Sequence, residues 1–283
     1  MNAAKRLLIS CKGTSIEKIG FSGGEPFLAL DFITAISKIA VENDFLFDQI
    51  ITNGDWWKTV DDLNAALTAL YDSGYDGKIS VSFDTFHNQK PERTADFIKT
   101  AAGIFGAQSV TIQSVINAGV KDDFYARLLK LSELLGTKIS DYTNRKSSLG
   151  LITLENDSLF IQVYVQPQSF SASDECAWKA KRWFKEDFCE DPGNVLFVHA
   201  DGNIAPCCGF ANESLALSIG SINDEFKTIM KNAQNNALVR LCYEQGLSSQ
   251  IKNLKNQKKL PFPHAKCGEE CTFCEFVCTS LTN

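Results

Sequence analysis

Ile19-Gly20-Phe21-Ser22-Gly23-Gly24-Glu25-Pro26 reads as a short strand running into a two-glycine turn, with a proline placed to open a helix. Apolar residues then recur at helical spacing from Leu28 to Val41, and Gln49-Ile50-Ile51-Thr52 supplies a second β-branched run. One strand, one helix and another strand in this order require a crossover, and a crossover favours parallel pairing. The pattern repeats through Lys78-Ile79-Ser80-Val81-Ser82-Phe83, Val110-Thr111-Ile112-Gln113-Ser114-Val115 and Phe160-Ile161-Gln162-Val163-Tyr164-Val165. Amphipathic segments Val60 to Leu70 and Thr94 to Phe105 fill the intervals, so the first part of the chain is expected to be an α/β layer or barrel segment.

In parallel α/β folds, chemistry collects at the C-terminal ends of strands. Gly23-Gly24-Glu25-Pro26, Thr52-Asn53-Gly54 and Asp84-Thr85-Phe86-His87 all follow strands and fall on that edge. The two glycines are free to take positive φ and let backbone approach a ligand, while the Glu25 carboxylate is suited to an ammonium group. A strand-to-helix turn explains the glycines and the proline but leaves the acid between them unexplained. Asp84 reads equally well as a helix N-cap. His87 is a proton-donor or substrate-contact candidate with no evident acid–base partner, and a local packing role competes with that reading.

The pattern changes after Pro167. Gln168 to Asp174 is polar and serine-rich, and cysteines follow. Of ten cysteines in 283 residues, six form a metal-ligand pattern: Cys189, Cys207, Cys267, Cys271, Cys274 and Cys278. The last four are spaced Cys-x3-Cys-x2-Cys-x3-Cys, close enough to converge on one centre. Asp201-Gly202 between Val195-Leu196-Phe197-Val198 and Asn203-Ile204-Ala205 marks a hairpin bringing Cys189 and Cys207 side by side. Cys11, Cys176 and Cys242 read as ordinary buried or free thiols.

Net charge is −6 and no dense basic stripe is present, which argues against a nucleic-acid surface. The apolar run after Lys5 and Arg6 is too short for a signal peptide or a membrane span. A cytoplasmic, reducing setting with metal ligation is therefore expected, rather than a disulfide framework.

Phe21-Ser22-Gly23-Gly24-Glu25-Pro26-Phe27-Leu28, with Ile51-Thr52-Asn53-Gly54 one βα unit later, resembles the radical S-adenosylmethionine (SAM) enzymes. The resemblance implies that Gly23, Gly24, Glu25 and Pro26 contact the amino group of SAM, with Thr52 and Asn53 on the same face and Ser82 and Asp84 toward the ribose. Cys189, Gly202 and Cys207, with the hairpin Val198 to Cys208, resemble the SPASM extension, which carries auxiliary [4Fe–4S] clusters in peptide-modifying members. Cys208 is a possible substitute for Cys207. The terminal spacing departs from the extension's common Cys-x2-Cys-x5-Cys-x3-Cys, leaving one auxiliary cluster or two open.

Family members carry a catalytic Cys-x3-Cys-x2-Cys loop upstream of Gly-Gly-Glu-Pro, whereas the residues before Gly23 contain one cysteine, Cys11, and read as a helix from Ala3 to Ile9. The expected architecture is thus a partial (β/α)6-type parallel barrel lacking its first strand over 1–170, a linker over 171–188, and a small cysteine-rich α+β domain over 189–283. The implied function is maturation of a ribosomally made peptide by hydrogen abstraction, with the precursor peptide and an electron donor as partners, and the chain itself is expected to be a shortened, catalytically incomplete member. Catalytic residues are not identifiable beyond His87. Three alternatives stay open: a non-catalytic Fe–S or zinc module that binds a peptide or protein, a permuted catalytic loop at Cys267, Cys271 and Cys274, and an ordinary α/β enzyme using Glu25 and His87.

Overall fold

A computed structural model describes residues 1–87, 89–117, 123–141, 150–185, 188–189, 194–262 and 264–281. The chain divides into two compact units, one formed by Glu17–Gln168 and the other by Met1–Ile16 together with Ser169–Asn283. The first helix, α1 (Asn2–Ser10), therefore belongs with the cysteine-rich part, where Ser10 Oγ accepts the backbone N–H of Phe226 at 3.1 Å.

The sheet unit contains strands β1 (Lys18–Phe21), β2 (Leu46–Thr52), β3 (Lys78–Ser82), β4 (Val110–Ile116), β5 (Lys138–Asp141), β6 (Gly150–Asn156) and β7 (Leu159–Pro167). Helices α2 (Leu30–Glu42), α3 (Val60–Asp72), α4 (Pro91–Phe105) and α5 (Phe124–Leu135) lie between the first five. The sheet order is β1-β2-β3-β4-β7-β6-β5: the first four strands run parallel in chain order and β7 extends them in parallel. Only β6 runs against the others, pairing antiparallel with β7 on one side and with the edge strand β5 on the other. Such winding in one direction, with a helix after each of the first four strands, is what the alternating pattern requires.

Alternation along the strands assigns the two faces of the sheet. Ile50, Ile79, Val81, Ile112, Ile161 and Val163 are fully buried and pack with Leu63, Leu67 and Leu70 of α3 and Phe97 and Ile98 of α4. The other face is polar. Ser80, Thr111 and Gln162 lie in one row across β3, β4 and β7, and Ser82, Gln113 and Tyr164 in the next. Gln113 Nε2 donates to Gln49 Oε1 at 3.5 Å, and Tyr164 to Gln162 Oε1 at 3.0 Å.

Local sequence explains the element ends. Pro26 opens a 3-10 turn, Pro26–Ala29, before α2, so the regular helix begins two residues later than the Leu28 expected from periodicity. Thr59 and Asp62 close a reciprocal capping box at the start of α3, and Gly136 at φ 65° ends α5. Strands β5 and β6 and helix α5 lie outside the runs that the sequence pattern marks.

The second unit has little regular sheet. Strands β8 (Phe197–Val198), β9 (Asn203–Ala205) and β10 (Gly220–Ser221) form an antiparallel sheet in the order β10-β9-β8. Gly202, at φ 87°, makes the expected hairpin turn, and a Cβ there would lie 2.9 Å from Ile222 Cγ2. Helices α6 (Phe226–Asn235) and α7 (Ala237–Arg240) follow, then a π-helical turn, Leu241–Gln245, and helices α8 (Ser248–Asn256) and α9 (Glu270–Leu281). Its core contains Trp178, Leu241, Leu247, Leu254, Phe273 and Val277.

The described residues of the expected linker, 171–188, are part of this packing. Trp178 is buried, Phe184 N–H donates to the Cys267 carbonyl at 3.0 Å, and Ser171 Oγ and Ala172 N–H donate to the two Glu275 carboxylate oxygens. No described helix is long and apolar enough to cross a membrane.

Candidate functional site

Two places in the chain concentrate chemistry, one in each unit. In the sheet unit, the Glu25 carboxylate ties the first strand end to the second. Its Oε1 accepts the Thr52 hydroxyl at 2.8 Å and Phe27 N–H at 3.2 Å, and its Oε2 accepts Asn53 N–H at 2.8 Å. A carboxylate offers about four lone-pair positions. Three are filled, two at Oε1 and one at Oε2, so Oε2 retains one for a further donor. Thr52 Oγ1 in turn accepts Gly54 N–H at 3.0 Å.

Gly23 and Gly24 have φ of 83° and 31°, and a Cβ on either would meet nothing within 4 Å. The backbone conformation, rather than crowding, requires glycine at Gly23, and the space in front of the turn is open. Glu25 is therefore held rigidly beside an open backbone surface.

The third strand end is equally ordered. Asp84, 3% exposed, accepts at Oδ1 the backbone N–H groups of Phe86 and His87, both at 2.9 Å. His87 Nδ1 lies 2.8 Å from the same oxygen. Asp84 therefore closes a turn over 84–87 and does not cap α4, which begins at Pro91. The partner that His87 lacked in the sequence is this carboxylate, three residues upstream; the Asp-x-x-His spacing was the available signal. Arg127 of α5 donates to the carbonyls of Asp84 and Gln89, and Gln89 Nε2 donates to the Asn53 carbonyl at 2.8 Å. These bonds link the second and third strand ends. Ser82 ends β3 on the polar face.

In the other unit, Cys189, Cys207, Cys242, Cys271 and Cys274 line one cavity with Pro206, Phe210, Ala211, Leu217, Leu247 and the acidic Glu270. The hairpin ends at Cys207, while α9 carries Cys271 and Cys274 one turn apart. Gly209 leaves room at its edge, since a Cβ there would lie 3.1 Å from Cys271 Sγ. Among the described residues, no three His, Cys, Asp or Glu side chains close on a point that a single ion would occupy. The thiols line a cavity instead.

Their electrostatics follow from this setting. The hydrogen bond with Cys274, then burial, pushes the Cys242 thiol well above its ordinary range. Cys274 is lowered by Cys242, but its hydrogen bond with Cys278 and burial outweigh that and leave it raised. Cys242 and Cys274 thus favour the neutral thiol.

Of the expected metal ligands, the structure brings Cys189, Cys207, Cys271 and Cys274 together. Cys278, 1% exposed, touches Cys274 from outside the cavity lining. Cys267 stands apart: it is fully buried, donates to the Glu269 carbonyl at 3.1 Å, and burial raises its pKa. Cys242, read from sequence as an ordinary thiol, is the addition. It lies far along the chain from the other cysteines, so only the packing of the π-turn reveals it.

Residues 189–275 match SPASM, an iron–sulfur cluster-binding domain. No curated protein matches the chain. Among solved structures, a provisionally named oxidoreductase from Yersinia pestis is 12% identical at a TM-score of 0.20, covering 59% of this chain and 50% of its own. A second such protein, from Bacillus subtilis, is 9% identical at a TM-score of 0.17, covering 54% of this chain and 65% of its own. The chain thus spans less than two thirds of either, and neither likeness carries an argument at these scores.

Proposed function

We propose that the chain is a radical SAM/SPASM-type protein that holds an auxiliary [4Fe–4S] cluster in the cysteine cavity and contacts SAM along the Gly23–Glu25 turn. The observation that carries this reading is the meeting of five cysteines on one cavity, walled by apolar residues and Glu270, inside the segment that matches an iron–sulfur domain. A four-iron cube bonds one thiolate to each iron, so its ligands surround a volume rather than converge on a point. These five thiols line one cavity, and four of them would hold the cube once Cys242 and Cys274 part from their mutual hydrogen bond. When bound, such a cluster supplies electron transfer or a substrate contact. The buried Leu217 and Leu247 wall the cavity on its inner side, while Phe210 and Cys271 stand at its exposed edge.

For SAM, the support is the open Gly23–Gly24 backbone and the one unfilled acceptor position on Glu25 Oε2, fixed by Thr52 and Asn53. The ammonium of an amino acid moiety needs such a charged acceptor. Ser82 stands at the polar end of β3, and Asp84 orders the following turn. The polar sheet face fits a barrel-like interior able to take a polar cofactor and an extended peptide. Within this reading the substrate is a ribosomally made peptide and an electron donor is a partner; hydrogen abstraction would need a catalytic cluster besides the auxiliary one, toward which residues 1–22 supply only Cys11. The chain works in the cytoplasm.

Equilibrium dialysis with SAM tests the cofactor arm. Wild-type protein binds, and Glu25→Gln weakens binding at least about tenfold, equivalent to about 1.4 kcal/mol. Equal binding by the two proteins, or none by wild type, contradicts the assignment.

A further inference from the structure

The cavity presents five thiols, one more than a four-iron cube requires. Exposure separates them. Cys271 is exposed and Cys189 and Cys274 are half-buried, while Cys207 and Cys242 are 8% and 3% exposed. The surplus thiol is therefore the one at the solvent side, and the least exposed is one that the cysteine spacing did not include.

Cys242 also sits on unusual backbone. The chain leaves α7 at Arg240, widens into the π-helical turn Leu241–Gln245 and stops at Gly246, whose φ is 74°. A π-turn gives up regular helical bonding for one wider turn, and such turns occur frequently at functional sites. Widening changes the direction in which the residues of this turn project, and here Cys242 reaches the cavity and hydrogen-bonds Cys274. A cysteine needed only for packing between Leu241 and Leu247 would gain nothing from meeting four other cysteines.

We infer that Cys242 is a ligand of the iron–sulfur cluster, completing a set of four with Cys189, Cys207 and Cys274 and leaving Cys271 at the rim. The inference rests on the cluster reading above and assigns the ligands within it. Ligation takes one proton from each thiol and puts an iron–sulfur bond in its place, so the Cys242–Cys274 hydrogen bond is exchanged for bonds to iron without electron transfer.

Anaerobic reconstitution with ferric and ferrous iron in equal amounts and sulfide, followed by iron and sulfide quantification and electron paramagnetic resonance of the reduced protein, tests the assignment. Wild type is expected to hold about four irons per chain and Cys242→Ser fewer than about two, while Cys267→Ser, equally buried but outside the cavity, keeps the wild-type content and spectrum. Circular dichroism checks that each variant is folded. Should Cys242→Ser not fold, the triple variant Cys267→Ser, Cys271→Ser, Cys278→Ser decides, because it retains all four assigned ligands and is expected to keep the full cluster. A wild-type spectrum and iron content in Cys242→Ser, or cluster loss in the triple variant, overturns the ligand assignment while the cluster reading stands. Wild-type protein that takes up no iron overturns both.

Discussion

The strand-end site and the cysteine cavity achieve order by opposite means. At Glu25 every partner is supplied by the polypeptide: a hydroxyl and two backbone N–H groups fix the carboxylate, and a seven-stranded sheet fixes those donors. In the cavity, five thiols meet where short strands, 3-10 turns and a π-turn provide the frame. Thiols are weak hydrogen-bonding groups, and several buried together satisfy one another poorly. The first site is built by folding alone, and the second is completed by what it binds.

The largest effect expected from this contrast is therefore on cluster removal. Stripping iron with chelator and oxidant speeds amide exchange in β9 and α9 by at least about two orders of magnitude, because cluster binding energy is folding energy there. Amides of Ile79 and Ile112 in the sheet keep their protection. Hydrogen exchange read by mass spectrometry checks both, and equal loosening of the two units breaks the comparison.

Next in size is a cavity in the sheet unit. Leu67 is fully buried on α3, so Leu67→Ala costs about 2–5 kcal/mol in urea unfolding. Iron content per folded chain stays at the wild-type level. Loss of iron in proportion to stability would show that the two regions are not independent.

Glu25→Gln ranks below that. It removes the charge from three hydrogen bonds and sets an amide N–H₂ against at least one of the donors, a loss of about 2 kcal/mol in the sheet unit. Cluster spectra are unchanged. A neutral effect on stability would show that the carboxylate is held by less than its geometry implies.

The smallest effect distinguishes two glycines. Gly23→Ala costs about 1–2 kcal/mol from backbone conformation alone, since its Cβ meets nothing. Gly54→Ala, at φ 66° with Val81 Cγ1 3.1 Å from the new Cβ, costs more than Gly23→Ala in the same urea titration. The reverse order would place an unseen contact in front of the Gly23–Gly24 turn.

The same contrast explains what was readable from sequence. Strands β1 to β4 and β7 announce themselves because Ile50, Ile79, Ile112 and Ile161 sit in β-branched or aromatic runs, and the helices between them keep one apolar face. Such patterns are local. Strand β5 is four residues at the sheet edge, with Ile139 its one apolar residue, and β6 pairs antiparallel, outside the repeating unit.

At the site, Gly23-Gly24-Glu25-Pro26 was visible as a motif, but its closure by Thr52 and Asn53 depends on strand register. Cys189 and Cys207 were legible through the Asp201-Gly202 turn between them. Cys242 was not, because an isolated cysteine in a helical region carries no spacing, and its approach to Cys274 is a tertiary contact.

The central claim is that the cavity of Cys189, Cys207, Cys242, Cys271 and Cys274 holds an iron–sulfur cluster. Quantifying metal and acid-labile sulfide in anaerobically isolated and reconstituted protein tests it most directly. About four irons and four sulfides per chain, with a paramagnetic signal on reduction, is the predicted result; zinc without iron or sulfide would contradict it.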